Sequence, residues 1–523
     1  MKYEAGLLAR TAAMTYPDRI ALTWQGENQT FAELNEMANA LGSGLVSLGV
    51  EQGDRIGLLS FNRPEVIQGW LACEKFGLVR IAMHTHTPME DHVALLNHVG
   101  AKALMFDTQF TSQIAALRGD LDPGTVYIAI GPETPEWATP IVDVMAAGRP
   151  EDPFLQVDEN DACFLQLTSG TTGMSKPWIK SYRSWLAVIN HNAAHLDTYP
   201  DAGAIDTSDV NLHFHPLQWA TGFQTLYPYF IRGARTVIAP DEPFDADAIV
   251  DLIVSEGVTG TFAPGPLLTP ILDVVESRGG IDHQLRRMVI FFGSPELLDR
   301  TTKAFGPVWS HAFGSTEQGA ATTRLLASHV EESRGRINSV GRPGSPNLEI
   351  AIVGPDGQRV LPGESGEIVV RSAMSLGSYW EMPDVTEAAF FDGDWFRSGD
   401  VGYIDADGFL FYGDRAGDTI HDGGVAVYPH VLEASFLAQE SVANVGVVPI
   451  TDGDRQLIVA AVLLKDGRDA SDAARDALMG AVSASLAPGR VPDEIVFVDE
   501  IPTVLGGAKV QRGALRDQVQ GSR

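Results

Sequence analysis

The chain has 523 residues, a net charge of −31, and apolar and charged shares of 44% and 20%. That length exceeds what one hydrophobic core fills, so two or more domains are expected, and the composition excludes collagenous, coiled-coil and disordered classes. The acidic balance argues against a nucleic-acid partner, whose backbone needs Lys and Arg to replace its counterions.

The opening MKYEAGLLARTAAMTYPDR sets Glu4, Arg10 and Asp18 around a short apolar run. It has neither the length of a membrane span nor the layout of a secretory signal. Cys73 and Cys163 each sit in apolar sequence, which predicts two buried thiols in a reducing compartment, the cytoplasm by default.

FAELNEMANALGSGLVSLG reads as a helix that Gly49 closes, and DRIGLLS as the strand after it. The alternation repeats through VIQGWLACEKFG and LVRIAMH, then HVALLNHVG and AKALMFD. A second series runs from IVDLIVSEGV to TGTFAPG and from PELLDRTTKAFG to PVWSHAFGSTE. Helices alternating with short apolar strands predict mainly parallel sheets covered by helices, with ligands at the carboxyl ends of the strands. From about residue 345 the texture turns β-rich, through LEIAIVGPDGQRV and GEIVVRS, and predicts a smaller β subdomain. After residue 415 a helix around VLEASFLAQ and strands NVGVVPI, LIVAAVLL and EIVFVDE fit a compact α+β domain. The expected class is thus α/β, with a large domain over 1–415 and a small mobile α+β domain over 416–523.

FLQLTSGTTGMSKPWIK joins an apolar strand to a loop of Thr168, Ser169, Gly170, Thr171, Thr172 and Gly173, with Lys176 following. Glycines admit close approach of phosphate oxygens, hydroxyls donate hydrogen bonds, and the lysine adds a cation. The alternative is a polar surface turn. Neither the P-loop nor the dinucleotide fingerprint matches.

TSGTTGMSK resembles the phosphate loop of the adenylate-forming superfamily of acyl-CoA synthetases, peptide-synthetase adenylation domains and beetle luciferases. Further segments match that family in order over nearly the whole chain. FGSTEQG is similar to its aromatic-Gly-x-Thr-Glu segment, which implies Phe313 and Gly314 beside the nucleotide and acid, Thr316 at the phosphates and Glu317 on Mg²⁺. FFGSPELL resembles the adenine segment, with Phe292, Gly293 and Ser294 where the family usually has Gly-Gly-Ala. WFRSGDVGYIDADGFLFYGDR is similar to the ribose-binding stretch, which implies Asp400 on the ribose hydroxyls and Arg415 assisting. GESGEIVV matches another landmark, taken as structural. IPTVLGGAKVQRGALRD resembles the segment that places a catalytic lysine on the carboxylate and phosphate, here Lys509, with Arg512, Leu515 and Arg516 following. Ala508 departs from the usual glycine before that lysine, and the interval from Pro502 is one residue longer.

The resemblance implies ATP-dependent activation of a small-molecule carboxylic acid as an acyl-adenylate, then transfer to a thiol. ATP, Mg²⁺ and CoA are the expected cofactors. The small domain of such enzymes turns between half-reactions, about a hinge that falls on Gly417, and Gly423 and Gly424 of IHDGGVAVYP lie where a pantetheine arm would pass.

Acid specificity should reside in LHFHPLQWATGF, TFAPGPL and beside FGSTE. The first holds no acid where amino-acid adenylation domains place Asp, which disfavours an α-amino acid. Trp219 falls where many acyl-CoA synthetases have His. With Gly222, Phe223 and Phe262 it suggests a wall for an aryl or medium acyl acid, although Phe223 is equally explained by core packing. His213 with His215, His191 with His195 and His84 with His86 lack a completing ligand set and read as structural or surface residues. CoA is the first choice of acceptor. A carrier protein's phosphopantetheine is the second, a non-catalytic adenylate-binding protein is the contrasting class, and a homodimer is allowed for.

Overall fold

The computed structural model describes residues 1–168, 176–200, 202–319, 321–422, 425–452, 455–465, 470–486, 491–504 and 509–521. The chain divides into two compact units, Met1–Ile350 with Val370–Phe396, and Ala351–Val369 with Arg397–Arg523. The expected helices and strands form in both.

Helix Phe31–Ser47 shows how local sequence sets an element. Thr30 accepts the Glu33 amide while Glu33 accepts the Thr30 amide, a capping box that satisfies two donors of the first turn. Phe31, Leu34, Ala38, Leu41 and Leu45 form its buried stripe. Gly49, at φ 86°, takes a left-handed conformation that a side chain would strain, and the strand Arg55–Leu59 follows.

In the larger unit, the strands Ala162–Thr168, Val79–Ala82, Arg55–Leu59, Ala101–Asp107, Val126–Ile130 and Thr139–Pro140 run parallel side by side. Lys176–Ser181 adds antiparallel to Ala162–Thr168, and Ser378–Tyr379 lies beyond it. A second sheet has a parallel centre of Trp309–His311, Arg287–Phe291, Gly260–Pro264, Val210–His213, Arg235–Ile238 and Ile20–Trp24. The amino end of that centre is tied by a buried ion pair. Arg287 Nη1 lies 2.9 Å from Asp209 Oδ1, and Arg287 also donates to the carbonyls of Leu196, Ala202 and Gly203. Thr259 Oγ1 donates to the same carboxylate, so the charges enter the core with their bonds made.

In the smaller unit, Val442–Asp452 and Arg455–Leu464 form an antiparallel pair that Glu494–Phe497 joins in parallel. Helix Pro429–Leu437 and helix Asp472–Ser485 supply core residues Leu432, Phe436, Leu478 and Val482 to one cluster. Helix Arg512–Gly521 places Leu515 and Val519 in another. Cys73 and Cys163 are free and buried, and burial pushes the Cys73 thiol up to about 12. Among the described residues, no helix is long and apolar enough to cross a membrane.

One buried acid makes stability depend on pH. Tyr227 donates to Glu74 Oε2 at 2.9 Å, and Tyr182 donates to the Glu74 carbonyl at 2.8 Å. Burial raises the Glu74 carboxyl from 4.5 to about 7 against the pull of hydrogen bonds from Tyr227 and Trp185. Between these values the folded state binds a proton that the unfolded state has lost, so stability falls as pH rises through the window. Glu74→Gln keeps the shape without the charge. Its unfolding free energy relative to the unsubstituted protein should climb from pH 4.5 to 7 and level off above, by on the order of 3 kcal/mol at most. Parallel calorimetric scans across that range would show a flat difference if Glu74 ionises freely in the fold.

Candidate active site

Thr168 and Lys176 end the strands that flank the Thr-rich loop, and they are cross-strand partners. Ser169, Gly170, Thr171, Thr172 and Gly173 lie outside the described residues, as do Gly423 and Gly424. Thr168 is buried, and the Lys176 ammonium stands 5.8 Å from the centre of the Tyr379 ring.

Tyr379 also reaches the Thr-Glu segment. Its hydroxyl donates to Glu317 Oε1 at 2.9 Å, while Ser315 Oγ donates to Glu317 Oε2 at 3.0 Å. Burial and the neighbouring carboxylate raise the phenol, so it remains a donor. Both carboxylate oxygens are thereby aimed by neutral groups. Beneath them lies Lys180, fully buried, whose Nζ donates to the carbonyls of Glu317 at 3.0 Å and Met374 at 2.7 Å. Burial pushes this ammonium down to about 7, against the pull of Glu317. Tyr379, Ser315 and Lys180 were not legible as site residues. Tyr379 is 62 positions from Glu317 and Lys180 is 137, and no local pattern connects them.

Upstream, Phe313 is buried with its amide on Thr323 Oγ1 and its carbonyl accepting from Thr322. Gly314 and Thr316 are half-buried between it and Glu317. Phe292 is 56% exposed and takes φ 58°, a strained conformation for an aromatic residue. Gly293 follows, donating to His311 Nε2, and Ser294 caps helix Pro295–Phe305 by accepting the Leu297 amide. The cap gives Ser294 a structural task that the adenine-segment reading did not foresee.

Among the pocket candidates, Phe262 is buried with its ring 5.0 Å from His215 and 5.2 Å from Phe291. Trp219 is half-buried, 6.2 Å from the His215 ring. Phe223 packs at 3.9 Å on Trp70 and 4.7 Å on Tyr227, the surroundings of a core residue. Gly222 begins helix Thr221–Phe230 so close to the preceding loop that an added Cβ would lie 2.0 Å from the Leu217 carbonyl oxygen. His191 bonds Ser345 Oγ and the Ala321 carbonyl, and His195 bonds Ser310 Oγ. His213 and His215 stack at 4.1 Å. Among the described residues, no group of three or more His, Cys, Asp and Glu could hold a metal ion.

In the smaller unit, strand Trp395–Ile404 sets Asp400 opposite Arg415 of Leu410–Arg415. Arg415 Nε lies 3.2 Å from Asp400 Oδ1, with the carboxylate buried and the guanidinium partly exposed. Gly399, within strand Trp395–Ile404, takes φ 68°, a conformation that glycine adopts readily. Lys509 falls in the strand Lys509–Val510, opposite Val504; its side chain lies outside what the structure describes. The helix behind it is anchored firmly. Arg512 binds both oxygens of Glu433 and donates to the Val447 carbonyl at 2.9 Å, and Leu515 is fully buried. Gly417, in the turn Ala416–Asp418, has open space where a Cβ would stand.

With this geometry in place, comparison with known proteins identifies the class. Residues 9–380 match the family profile of AMP-binding enzymes, and residues 431–505 match that of the AMP-binding enzyme C-terminal domain. The chain belongs to the AMP-binding enzyme family. It is similar to the long-chain-fatty-acid–CoA ligase FadD13 of Mycobacterium tuberculosis, 29% identical over 94% of this chain and 93% of that protein. It is likewise similar to a feruloyl-CoA synthase of Amycolatopsis sp, at 28% over 97% of each chain. An indoleacetate–CoA ligase of Aromatoleum aromaticum is 29% identical over 99% of this chain and 96% of its own. In fold, it resembles an anthranilate CoA ligase in complex with anthranoyl-AMP, with TM-score 0.83 at 23% identity, covering 99% of this chain and 98% of that one.

The two singled-out glycines should respond oppositely to the same substitution. Gly222→Ala forces the 217–222 loop apart and should cost about 1–3 kcal/mol in denaturant unfolding. Gly417→Ala should stay within about 0.5 kcal/mol of the unsubstituted protein. Equal effects would mean that close approach is not what Gly222 provides.

Proposed function

We propose that this protein is an AMP-forming acid–CoA ligase: the carboxylate attacks the α-phosphate of ATP to give an acyl-adenylate and pyrophosphate, and the acyl group then passes to the CoA thiol with release of AMP. The supporting observation is the Glu317 carboxylate, held at both oxygens by Tyr379 and Ser315. Mg²⁺ on ATP takes one or two protein carboxylates and keeps several waters. A single oriented carboxylate therefore fits the ion, which when bound would neutralise charge on the phosphates.

The remaining roles follow the family pattern residue by residue. Thr168, the loop 169–173, Lys176 and Thr316 hold phosphates; Gly293, Ser294 and Phe313 flank adenine; Asp400 and Arg415 hold the ribose. Lys509 places its charge on the acid carboxylate and α-phosphate, where negative charge grows as pyrophosphate leaves. Positioning and charge neutralisation perform this chemistry, and no side-chain nucleophile is needed. Relatives named for ferulate and indoleacetate favour an aryl acid, beside one named for long-chain fatty acids. All three are named for CoA products, which favours CoA over a carrier protein. We assign residues 416–523 as the mobile domain with Gly417 at its hinge, the cytoplasm as its compartment, and Gly423 and Gly424 to the pantetheine path.

Acid-dependent ATP–pyrophosphate exchange over a panel of aryl and medium-chain acids, followed by mass analysis with CoA, tests the activity. Absence of exchange with every acid would leave a non-catalytic adenylate-binding protein. Lys509→Ala should lower adenylate formation by roughly 10² or more, while thioester formation from supplied acyl-adenylate survives. Equal loss in both half-reactions would displace Lys509 from this role. Gly417→Pro fixes φ and restrains Ala416 before it. Adenylation should persist and single-turnover thioester formation fall sharply; full transfer in this variant would remove Gly417 as the hinge.

A further inference from the structure

The segment from His215 to Thr221 is fixed by its backbone, yet the polar ends of its side chains are not satisfied. Asn62 Nδ2 donates to the His215 carbonyl at 2.9 Å, Asn62 Oδ1 accepts the Leu217 amide at 2.7 Å, and Gln166 Nε2 donates to the Gln218 carbonyl at 3.1 Å. Asn62 is itself held by Asp241 Oδ1 on its amide. Three bonds from two other strand ends and loops leave this stretch no freedom to wander.

Against that order, neither amide atom of the Gln218 side chain has a hydrogen-bond partner among the described residues, and the His215 ring is drawn only to the backbone of Thr221. The His215 and Gln218 side chains are 0% and 1% exposed. Thr221 is a third side chain with a buried polar atom, Oγ1, that has no partner among the described residues, at the first position of a ten-residue helix that has no side-chain cap. The His215 ring lies against Phe262 at 5.0 Å and Trp219 at 6.2 Å, the two residues read as walls of the acid pocket. Buried polar groups without partners are rare, and leaving several together is costly unless something else bonds them. No Asp, Glu, Lys or Arg belongs to this trio, so a charged group would be buried there uncompensated. A neutral imidazole offers one donor and one acceptor and a carboxamide two donors and an acceptor oxygen, which suits a group that both gives and takes a hydrogen bond.

We propose that His215, Gln218 and Thr221 form a polar subsite of the acid pocket that recognises an uncharged hydroxyl on the acid, so that the substrate is a hydroxylated aryl or acyl acid rather than a plain hydrocarbon acid. This rests on the adenylation reading above and narrows its substrate class. A site built to bond a hydroxyl rejects the analogue lacking it, because its own buried groups are then left unpaired.

The test compares acids that differ only by a hydroxyl: the three monohydroxycinnamic acids against cinnamic acid, and hydroxyoctanoic acids against octanoic acid, each by kcat/KM for pyrophosphate exchange. At least one hydroxylated acid should exceed its parent by roughly tenfold or more. His215→Leu and Gln218→Met should each reduce that ratio to about one, whereas His215→Asn, which restores a donor and an acceptor, should recover it. Thermal midpoints identify any variant that fails to fold, and the Asn variant then carries the comparison. Parent acids used as well as all hydroxylated ones would overturn the subsite while leaving adenylation intact. So would variants in which both acids of a pair fall equally, since that marks a structural role. No exchange with any acid would instead overturn the activity itself and this inference with it.

Discussion

A single buried cation organises the catalytic face of the larger unit. Lys180 sits on the strand that follows the Thr-rich loop, and its ammonium bonds the carbonyls of Glu317 and Met374. Three stretches far apart in sequence are thereby tied at one atom. Burial makes the charge expensive, as its lowered pKa of about 7 records, and the two carbonyl bonds compensate only in this arrangement. Displacing either carbonyl would leave a buried N–H of the ammonium without a partner. The position of the Glu317 backbone is therefore coupled to the strand that carries Lys176.

From that anchor the carboxylate is aimed by weaker means. Tyr379 and Ser315 are neutral donors, so they orient Glu317 without neutralising it. A salt bridge at the same place would have quenched the charge that a cation needs. The nearby Tyr379 ring also faces the Lys176 ammonium, so one side chain touches both the cationic and the anionic members of the site. The smaller unit shows the same division of labour: Arg512 is spent on Glu433 and Val447, which holds the segment bearing Lys509 in place.

The segment from His215 to Thr221 is built on a different principle. Its backbone is clamped by Asn62 and Gln166, while the amide of the Gln218 side chain has no hydrogen-bond partner among the described residues. Rigid backbone with open polar tips is the arrangement of a recognition surface, since binding then costs little reordering. Gly222 serves the same rigidity by letting the helix that follows start in contact with the loop.

The alternation of helices and strands and the order of the family motifs were readable in the chain, because they rest on local periodicity and on short contiguous patterns such as TSGTTGMSK and FGSTEQG. Phe223 stood open between core and pocket, and its packing on Trp70 and Tyr227 is that of core. Ser294 looked like a nucleotide contact and is also a helix cap, since one hydroxyl followed by Pro satisfies both patterns. Sequence by itself determined the class. Only the tertiary structure decided that Lys180 and Tyr379 hold Glu317 and that the amide of the buried Gln218 side chain has no partner among the described residues, because burial and hydrogen-bond partnership are made between residues that share no local pattern.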